Sequence, residues 1–248
     1  MELQNPLQAL VRKSKLIPLL EIDGLYHVKD IRKESERIKV HRLRHRVFCE
    51  ELGWVSITRD ALEVDAYDDN AIFIAVFDQH NELKACLRVT LSTNHFMLEK
   101  EFPYLLGQDE KIRKSDDTIE ISRLCVAPEA RTEKISGNFG IHSLSLLLYK
   151  GLYRWCMMNR IRFLYLVVEE KVFRLFCASG FPCKMVGQPK EMPDGVVAVA
   201  AMLDWREFEV INNARRPKLF AWFSPAQSYL SSMQLPQPEV YLRHQALS

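Results

Sequence analysis

Apolar and polar positions divide the chain into a mixed series of helices and strands. Residues 28–52 place Ile31, Ile38, Val47, Phe48 and Leu52 near helical spacing among many charges, which predicts an amphipathic helix stopped at Gly53. Residues 71–77 and 83–91 are apolar, β-rich runs separated by Asp78-Gln79-His80-Asn81-Glu82, which reads as a hairpin. Residues 118–126 predict a third strand. Residues 141–157 predict a second strong helix, with Leu144, Leu147, Leu148, Leu152 and Trp155 on its apolar side. A fourth strand at 162–168, a short helix at 172–179 stopped by Gly180-Phe181, and a last strand at 196–203 complete the pattern. No internal repeat is present.

Bulk composition narrows the class. With 248 residues, 48% of them hydrophobic, the chain can bury one substantial core. Thirty-four basic residues nearly match thirty-two acids for a net charge of +2, which gives no ground for a nucleic-acid partner. The six cysteines show no Cys-x-x-Cys and sit mostly among apolar neighbours, so a reducing, cytoplasmic setting is expected. The early apolar run at 16–20 is broken by Pro18 and is too short for a membrane span. No metal-ligand spacing, Walker-type loop or Gly-x-Ser-x-Gly is present. No metal and no cofactor are therefore expected.

The chemistry concentrates between Arg44 and Arg123. A helix would put Arg44 and Phe48 one turn apart on one face, with Trp54 just beyond its end. Asp65 and Asp68 follow three apart, then Arg88 after an apolar run, then Phe102-Pro103 and Glu120-Ile121-Ser122-Arg123. Aromatic faces attract cations by about 0.5 to 2 kcal/mol, so aromatic residues beside paired carboxylates suit a cationic ligand. Each residue also has a plainer reading: core aromatics, turn-forming aspartates, surface ion pairs, an edge strand. Alternation along a strand puts Glu120 and Ser122 on one face and Arg123 on the other, unless a bulge re-aims it.

In this order and spacing the residues resemble the acyl-homoserine lactone synthases, the autoinducer synthases. That family's Arg-x-x-x-Phe and following Trp match Arg44, Phe48 and Trp54 in RHRVFCEELGW; its paired acids match Asp65 and Asp68; its Arg fourteen residues before a Phe-Pro matches Arg88; its Glu-x-Ser-Arg matches Glu120, Ser122 and Arg123. Leu91 and His95 stand where the family has prolines. The match is specific through residue 126 and looser to about 205. It implies an autoinducer-synthase domain over 28–205, with extensions at 1–27 and 206–248, and a GNAT-like α/β fold: a mixed central sheet flanked by helices, whose two central parallel strands, 118–126 and 162–168, splay apart to admit a thioester.

The resemblance further implies transfer of an acyl group to the amine of S-adenosylmethionine, bound as substrate, followed by lactonisation with release of methylthioadenosine, for quorum sensing. Glu120, assisted by Ser122, is then the expected base, with Asp65 a second candidate. Phe48 and Trp54 line the sulfonium site, Asp65 and Asp68 hold the ammonium and sulfonium, and Phe102 belongs to the substrate site. One of Arg44, Arg88 and Arg123 takes the methionine carboxylate; the sequence leaves open which. The turn at 127–140, APEARTEKISGNFG, is a poor pyrophosphate cradle, which favours acyl carrier protein over acyl-CoA as donor. Lys150 and Arg154 on the following helix are the expected docking residues for that acidic partner. The rivals are an N-acyl amino acid synthase or exosortase-associated acyltransferase of the same fold and, more distantly, a non-catalytic acyl-binding module. The 212–230 stretch, which mixes basic and aromatic residues, has no reading at this level.

Overall fold

The computed structural model describes residues 15–137 and 140–224. Its frame is one nine-stranded sheet. The strands are β1 (Leu20–Asp23), β2 (Tyr26–Asp30), β3 (Ile72–Asp78), β4 (Leu83–Leu91), β5 (Thr118–Val126), β8 (Phe163–Glu169), β9 (Lys184–Met185), β10 (Lys190–Glu191) and β11 (Val197–Asp204). They lie in the order β1-β2-β3-β4-β5-β8-β11-β10, with β9 also pairing β11. A separate hairpin joins β6 (Ile135–Gly137) to β7 (Gly140–His142). The helices are α1 (Glu34–Arg44), α2 (Met97–Lys100), α3 (Leu144–Met158), α4 (Glu170–Ala178), α5 (Trp205–Arg215) and α6 (Pro217–Phe223).

Along β3 every residue from Ile72 to Phe77 is buried. A strand covered on both faces needs no alternation, and this is why it reads as a continuous apolar run. Both α1 and α3 pack against β3 and β4. Gly151 lets α3 come close, since a Cβ there would fall 2.4 Å from Cγ1 of Val28.

The β5–β8 pair is parallel, and its pairing runs from Thr118–Phe163 to Ile121–Leu166. Both strands continue beyond that point, unpaired with each other, so the sheet opens between their C-terminal halves. The architecture is the mixed α/β sheet with splayed parallel strands that the sequence led us to expect.

Three boundaries differ from the sequence reading. Residues 28–30 belong to β2, and the first helix begins at Glu34, because Asp30 is spent holding the Leu19 N–H at 2.6 Å and Arg32 at 2.8 Å. Ile141 lies in β7; α3 starts after Ser143, whose hydroxyl caps it by accepting the Leu146 N–H at 3.2 Å. The last seven residues of the first helix, His45–Glu51, run in wider π-helical turns.

Residues 205–223, which the sequence reading places almost wholly in a C-terminal extension, are two helices joined at Pro217. Phe208, Leu219, Trp222 and Phe223 are buried in the main core. The Phe208 ring meets those of Tyr153, Phe181 and Trp205, and the Phe223 ring those of Tyr153 and Phe181, at centroid separations of 5.3 to 5.9 Å. Residues 225–248 lie outside the described part.

Candidate active site

The sequence motif folds into one ionic cluster. Arg44, the last residue of α1, makes a two-point ion pair with Asp68 at 2.8 and 3.1 Å and bonds Glu63 through Nε. Arg88, on β4, donates from Nη1 to Asp68 at 2.8 Å and to Asp65, and from Nε to Ser122 Oγ at 2.9 Å. Arg123 donates from Nε to Glu63 at 3.0 Å and from Nη2 to Asp65 at 2.8 Å. Three guanidinium groups thus share three carboxylates.

The local chain explains how these groups converge. The segment 63–68 is a turn that folds on its own polar atoms: the Asp65 N–H donates to Asp68 Oδ2 at 2.9 Å, and the Tyr67 N–H to Asp65 Oδ1 at 2.9 Å. Arg88 and Ser122 face one another in register across β4 and β5, just past an irregularity in the pairing after Cys86. At Arg123 the backbone is left-handed, with φ +51°. That turn aims Arg123 into the same cluster as Ser122, so the re-aiming exception to strand alternation is what occurs here.

Burial grades the cluster. The side chains of Arg44, Arg88 and Asp68 have no exposure, and Glu63 has 2%. Asp65 and Arg123 are its outer members, at 21% and 18%. Burial alone would raise the Asp68 carboxyl; the Arg44 fork and Arg88 outweigh it and hold the group down at about 2. Glu63 was missing from the residues singled out by sequence. Its signal was available in the Glu63-x-Asp65-x-x-Asp68 spacing.

Above the arginines sits α2. Glu120 accepts the N–H of Met97 at 2.8 Å on one carboxylate oxygen and that of Leu98 at 2.8 Å on the other. Met97 then places its sulfur 2.8 Å from Arg88 Nη2 and 3.7 Å from Arg123 Nη1. Burial pushes the Glu120 carboxyl up to about 7, against the two N–H donors and the nearby Arg88 and Lys114 charges, which favour the carboxylate. A carboxyl poised there can exchange a proton near neutrality.

Phe48 is buried, while Trp54 is half exposed at 51%, stacked on Phe48 with centroids 6.1 Å apart. The Arg123 guanidinium lies 5.6 Å from the Phe48 centroid, so the aromatic pair borders the outer edge of the ionic cluster. Phe102 packs at the edge of a small second core with Phe96, Leu98 and Tyr165. Tyr67, also unassigned by sequence, faces Arg88 at 5.4 Å and bonds Glu101 at 2.7 Å.

Lys150 and Arg154 do not form an exposed basic face. Lys150 is 4% exposed, paired with Glu21 at 2.9 Å and Asp23 at 3.0 Å, and lies 4.5 Å from the Trp222 ring centroid. Arg154 donates to the Ser224 carbonyl at 2.7 Å. The acids of β1 and the end of α6 claim both cations, which removes the docking surface expected there.

A groove of about 820 Å³ lies between the first turns of α3, helix α4 and the start of α6, with Leu146, Tyr149, Leu175, Phe176, Phe181 and Leu219 in its lining. Among the described residues no group of His, Cys, Asp and Glu is arranged for a metal. No helix among them is long and apolar enough to cross a membrane.

A model of the autoinducer synthase family matches residues 29–211, which takes in every residue of this cluster. The chain belongs to the autoinducer synthase family. Autoinducer synthases are acyltransferases, and so is this enzyme. It is 30% identical over 159 residues to the acyl-homoserine-lactone synthase of Aeromonas hydrophila, covering 64% of this chain and 75% of that one. To the probable acyl-homoserine-lactone synthase of Sinorhizobium fredii it is 27% identical over 164 residues, 66% and 77% of the two chains. In fold it is similar to BjaI, a CoA-dependent acyl-homoserine lactone synthase solved with S-adenosylmethionine and isopentyl-CoA: TM-score 0.62, 23% identity, 73% of this chain and 82% of that one. The GNAT-like sheet of an autoinducer synthase is therefore the fold of this chain.

Proposed function

We infer that this autoinducer synthase joins an acyl group to S-adenosylmethionine and closes the product to an acyl-homoserine lactone, a quorum-sensing signal. The observation that carries the reading is the exposure of Asp65 and Arg123, one carboxylate and one guanidinium, at the rim of an otherwise sealed ionic cluster. A methionine end presents an ammonium and a carboxylate, and by parting the 2.8 Å Asp65–Arg123 pair it would give each its complement at this rim. Phe48 and Trp54 border the same edge and favour the sulfonium. Arg44 and Arg88 are fully committed to Glu63, Asp65, Asp68 and Ser122, so their part is to hold the rim groups in place. Asp68 is committed in the same way.

The chemistry then has two steps. The ammonium gives a proton to Glu120, directly or through water, and the free amine attacks the thioester carbonyl; the C–N bond forms, the C–S bond breaks and the thiol leaves. The methionine carboxylate next attacks the carbon beside the sulfonium, closing the lactone and expelling methylthioadenosine. The protein contributes the folded conformer for that second step.

An acyl carrier protein is the donor this site favours. Arg131, the main cation of the turn after β5, is held by both oxygens of Glu51, and Arg46 by Glu129 at 2.6 Å. Cations already neutralised are poor partners for a pyrophosphate. The groove beside α3 suits the apolar acyl chain. Both substrates are metabolites of the cytoplasm, where we place the reaction.

The test is to incubate the purified protein with S-adenosylmethionine and a series of acyl thioesters, on carrier protein and on coenzyme A, and to follow methylthioadenosine and lactones by mass spectrometry. Acylated amino acids without methylthioadenosine would replace this function with that of an N-acyl amino acid synthase. Binding of S-adenosylmethionine without turnover would make the chain a binding module.

A further inference from the structure

Lys114 lies outside the family motif, in the connection between α2 and β5. Its ammonium donates to the Asn94 carbonyl at 2.6 Å, pairs with Glu99 Oε2 at 2.8 Å and lies 3.5 Å from the centroid of Phe96. Glu99 Oε2 also accepts the Phe96 N–H at 2.6 Å. One cation thus ties down three consecutive stations of the segment 94–99. Glu120 grips the same segment through the N–H groups of Met97 and Leu98, and Met97 is the residue that touches Arg88 and Arg123. Phe96 and Leu98 are fully buried, so the segment has a fixed seat.

We propose that Lys114 is a positioning residue of the acyl transfer, which holds the 94–99 segment over the arginines and supplies the positive charge that keeps Glu120 available as a base. The inference rests on the function argued above. Two independent features of the site support it. Mechanically, Glu120 holds the segment at Met97 and Leu98, burial seats Phe96 and Leu98, and Lys114 with Glu99 fixes its leading end. Electrostatically, Glu120 is buried, and each cation near it favours its ionised form.

The charges of Arg88 on β4 and Lys114 in the connection before β5 act on Glu120, Glu99 of α2 is paired with Lys114, the Tyr67 hydroxyl of the acidic turn feels the Glu120 charge, and Tyr165 is the register partner of Glu120 on β8. Arg88 is already shared among Asp65, Asp68 and Ser122. Among the described residues Lys114 is ion-paired with Glu99.

The experiment compares wild type with Lys114→Met, Lys114→Gln and Lys114→Arg. Two readouts are taken on each: the pH profile of kcat from methylthioadenosine release, and the titration of the Glu120 carboxyl in the substrate-free protein, by infrared difference against Glu120→Gln. Removing the charge is expected to move the acid limb and the carboxyl titration upward together by about half to one pH unit, so that kcat at pH 6 falls about three- to tenfold and recovers at higher pH. Lys114→Arg should keep both near wild type.

A merely structural lysine would lower kcat by one factor at all pH values and leave the limb in place, and that result overturns the proposal. So does a carboxyl titration unmoved in both Met and Gln variants. If no variant, wild type included, releases methylthioadenosine, the functional reading fails by itself, and the carboxyl titration still decides what Lys114 does to Glu120. If Lys114→Met does not fold, Lys114→Gln, which retains a donor for the Asn94 carbonyl, gives the answer.

Discussion

Arg44 and Asp68 form a two-point ion pair, 2.8 and 3.1 Å, in which neither side chain has any exposure to water. A pair buried so fully does not gain much over an apolar replacement of both partners, but removing Arg44 leaves three carboxylates to two guanidinium groups, with Asp68 held by Arg88 alone, at a cost of about 3 to 5 kcal/mol. Arg44→Met should therefore lose unfolding free energy by an amount within that range, and Arg44→Met with Asp68→Leu should regain part of it. Urea titration followed by circular dichroism measures both. Equal stability of the single variant and wild type would remove the pair from the structural frame of the site.

The pH dependence of stability has two opposed parts. Asp68 is held down at about 2, so its contribution of about 2 kcal/mol is present above the ordinary aspartate range and is lost as pH falls through 4 toward 2. Glu120 is raised to about 7: the folded state keeps its proton where the unfolded chain has lost it. Stability from this group is full below pH 4.5 and declines as pH rises to 7, by about 3 kcal/mol. Glu120→Gln should flatten that decline between pH 5 and 7 and leave the acid arm below pH 4 intact. A slope unchanged by the substitution would assign it to other groups.

Activity responds to the same residue by a different route. Both carboxylate oxygens of Glu120 accept N–H groups, and an amide has only one accepting oxygen, so Glu120→Gln turns its nitrogen toward either Met97 or Leu98. The variant is expected to bind S-adenosylmethionine more weakly, and to lose about 10²-fold or more in acyl transfer because the base is gone. Turnover within about threefold of wild type, measured by methylthioadenosine release, would take the proton-accepting role away from Glu120.

Much of this site was legible in the sequence because its residues sit on regular elements at characteristic spacings. Phe48 and Arg44 follow one helix, and Arg88 and Ser122 lie on strands whose apolar runs announce them. What escaped notice has identifiable physical causes. Strand β1 inverts the usual pattern: Leu20 and Ile22 are exposed at 66% and 70%, while Glu21 and Asp23 turn inward to Lys150. A strand that buries acids and shows leucine carries no alternation signal of the expected sign. For the same reason Lys150 and Arg154 looked like a solvated helix face, since the carboxylates that claim them lie more than 120 positions away. Glu63 meets Arg123 at a residue with left-handed backbone, and no periodicity foretells that.

Trp54 gives a test of ligand contact separated from folding. Half exposed and stacked on Phe48, it contributes little buried area to the core. Trp54→Ala should lower S-adenosylmethionine affinity by about two- to thirtyfold, the span of a cation–π contact of about 0.5 to 2 kcal/mol, with a fall in melting temperature of only a few degrees. Calorimetric titration and thermal unfolding of the same preparation settle it. A large drop in melting temperature with unchanged affinity would place Trp54 in the core.

The donor is the last point that measurement can decide. Because Glu51 and Glu129 already neutralise Arg131 and Arg46 around the turn after β5, an acyl carrier protein thioester should be used at least about tenfold more efficiently than the matching acyl-CoA, compared as kcat/KM. The Lys150 and Arg154 positions now enter as a control. Lys150→Glu would set a third carboxylate beside Glu21 and Asp23, so it should destabilise the protein strongly and affect both donors alike. Opening the turn instead, with Glu51→Gln and Glu129→Gln, frees two arginines for a phosphate and should narrow the preference by improving acyl-CoA alone. Equal efficiency with both donors in wild type, or no gain for acyl-CoA in the opened turn, would mean that the neutralised arginines do not set the choice.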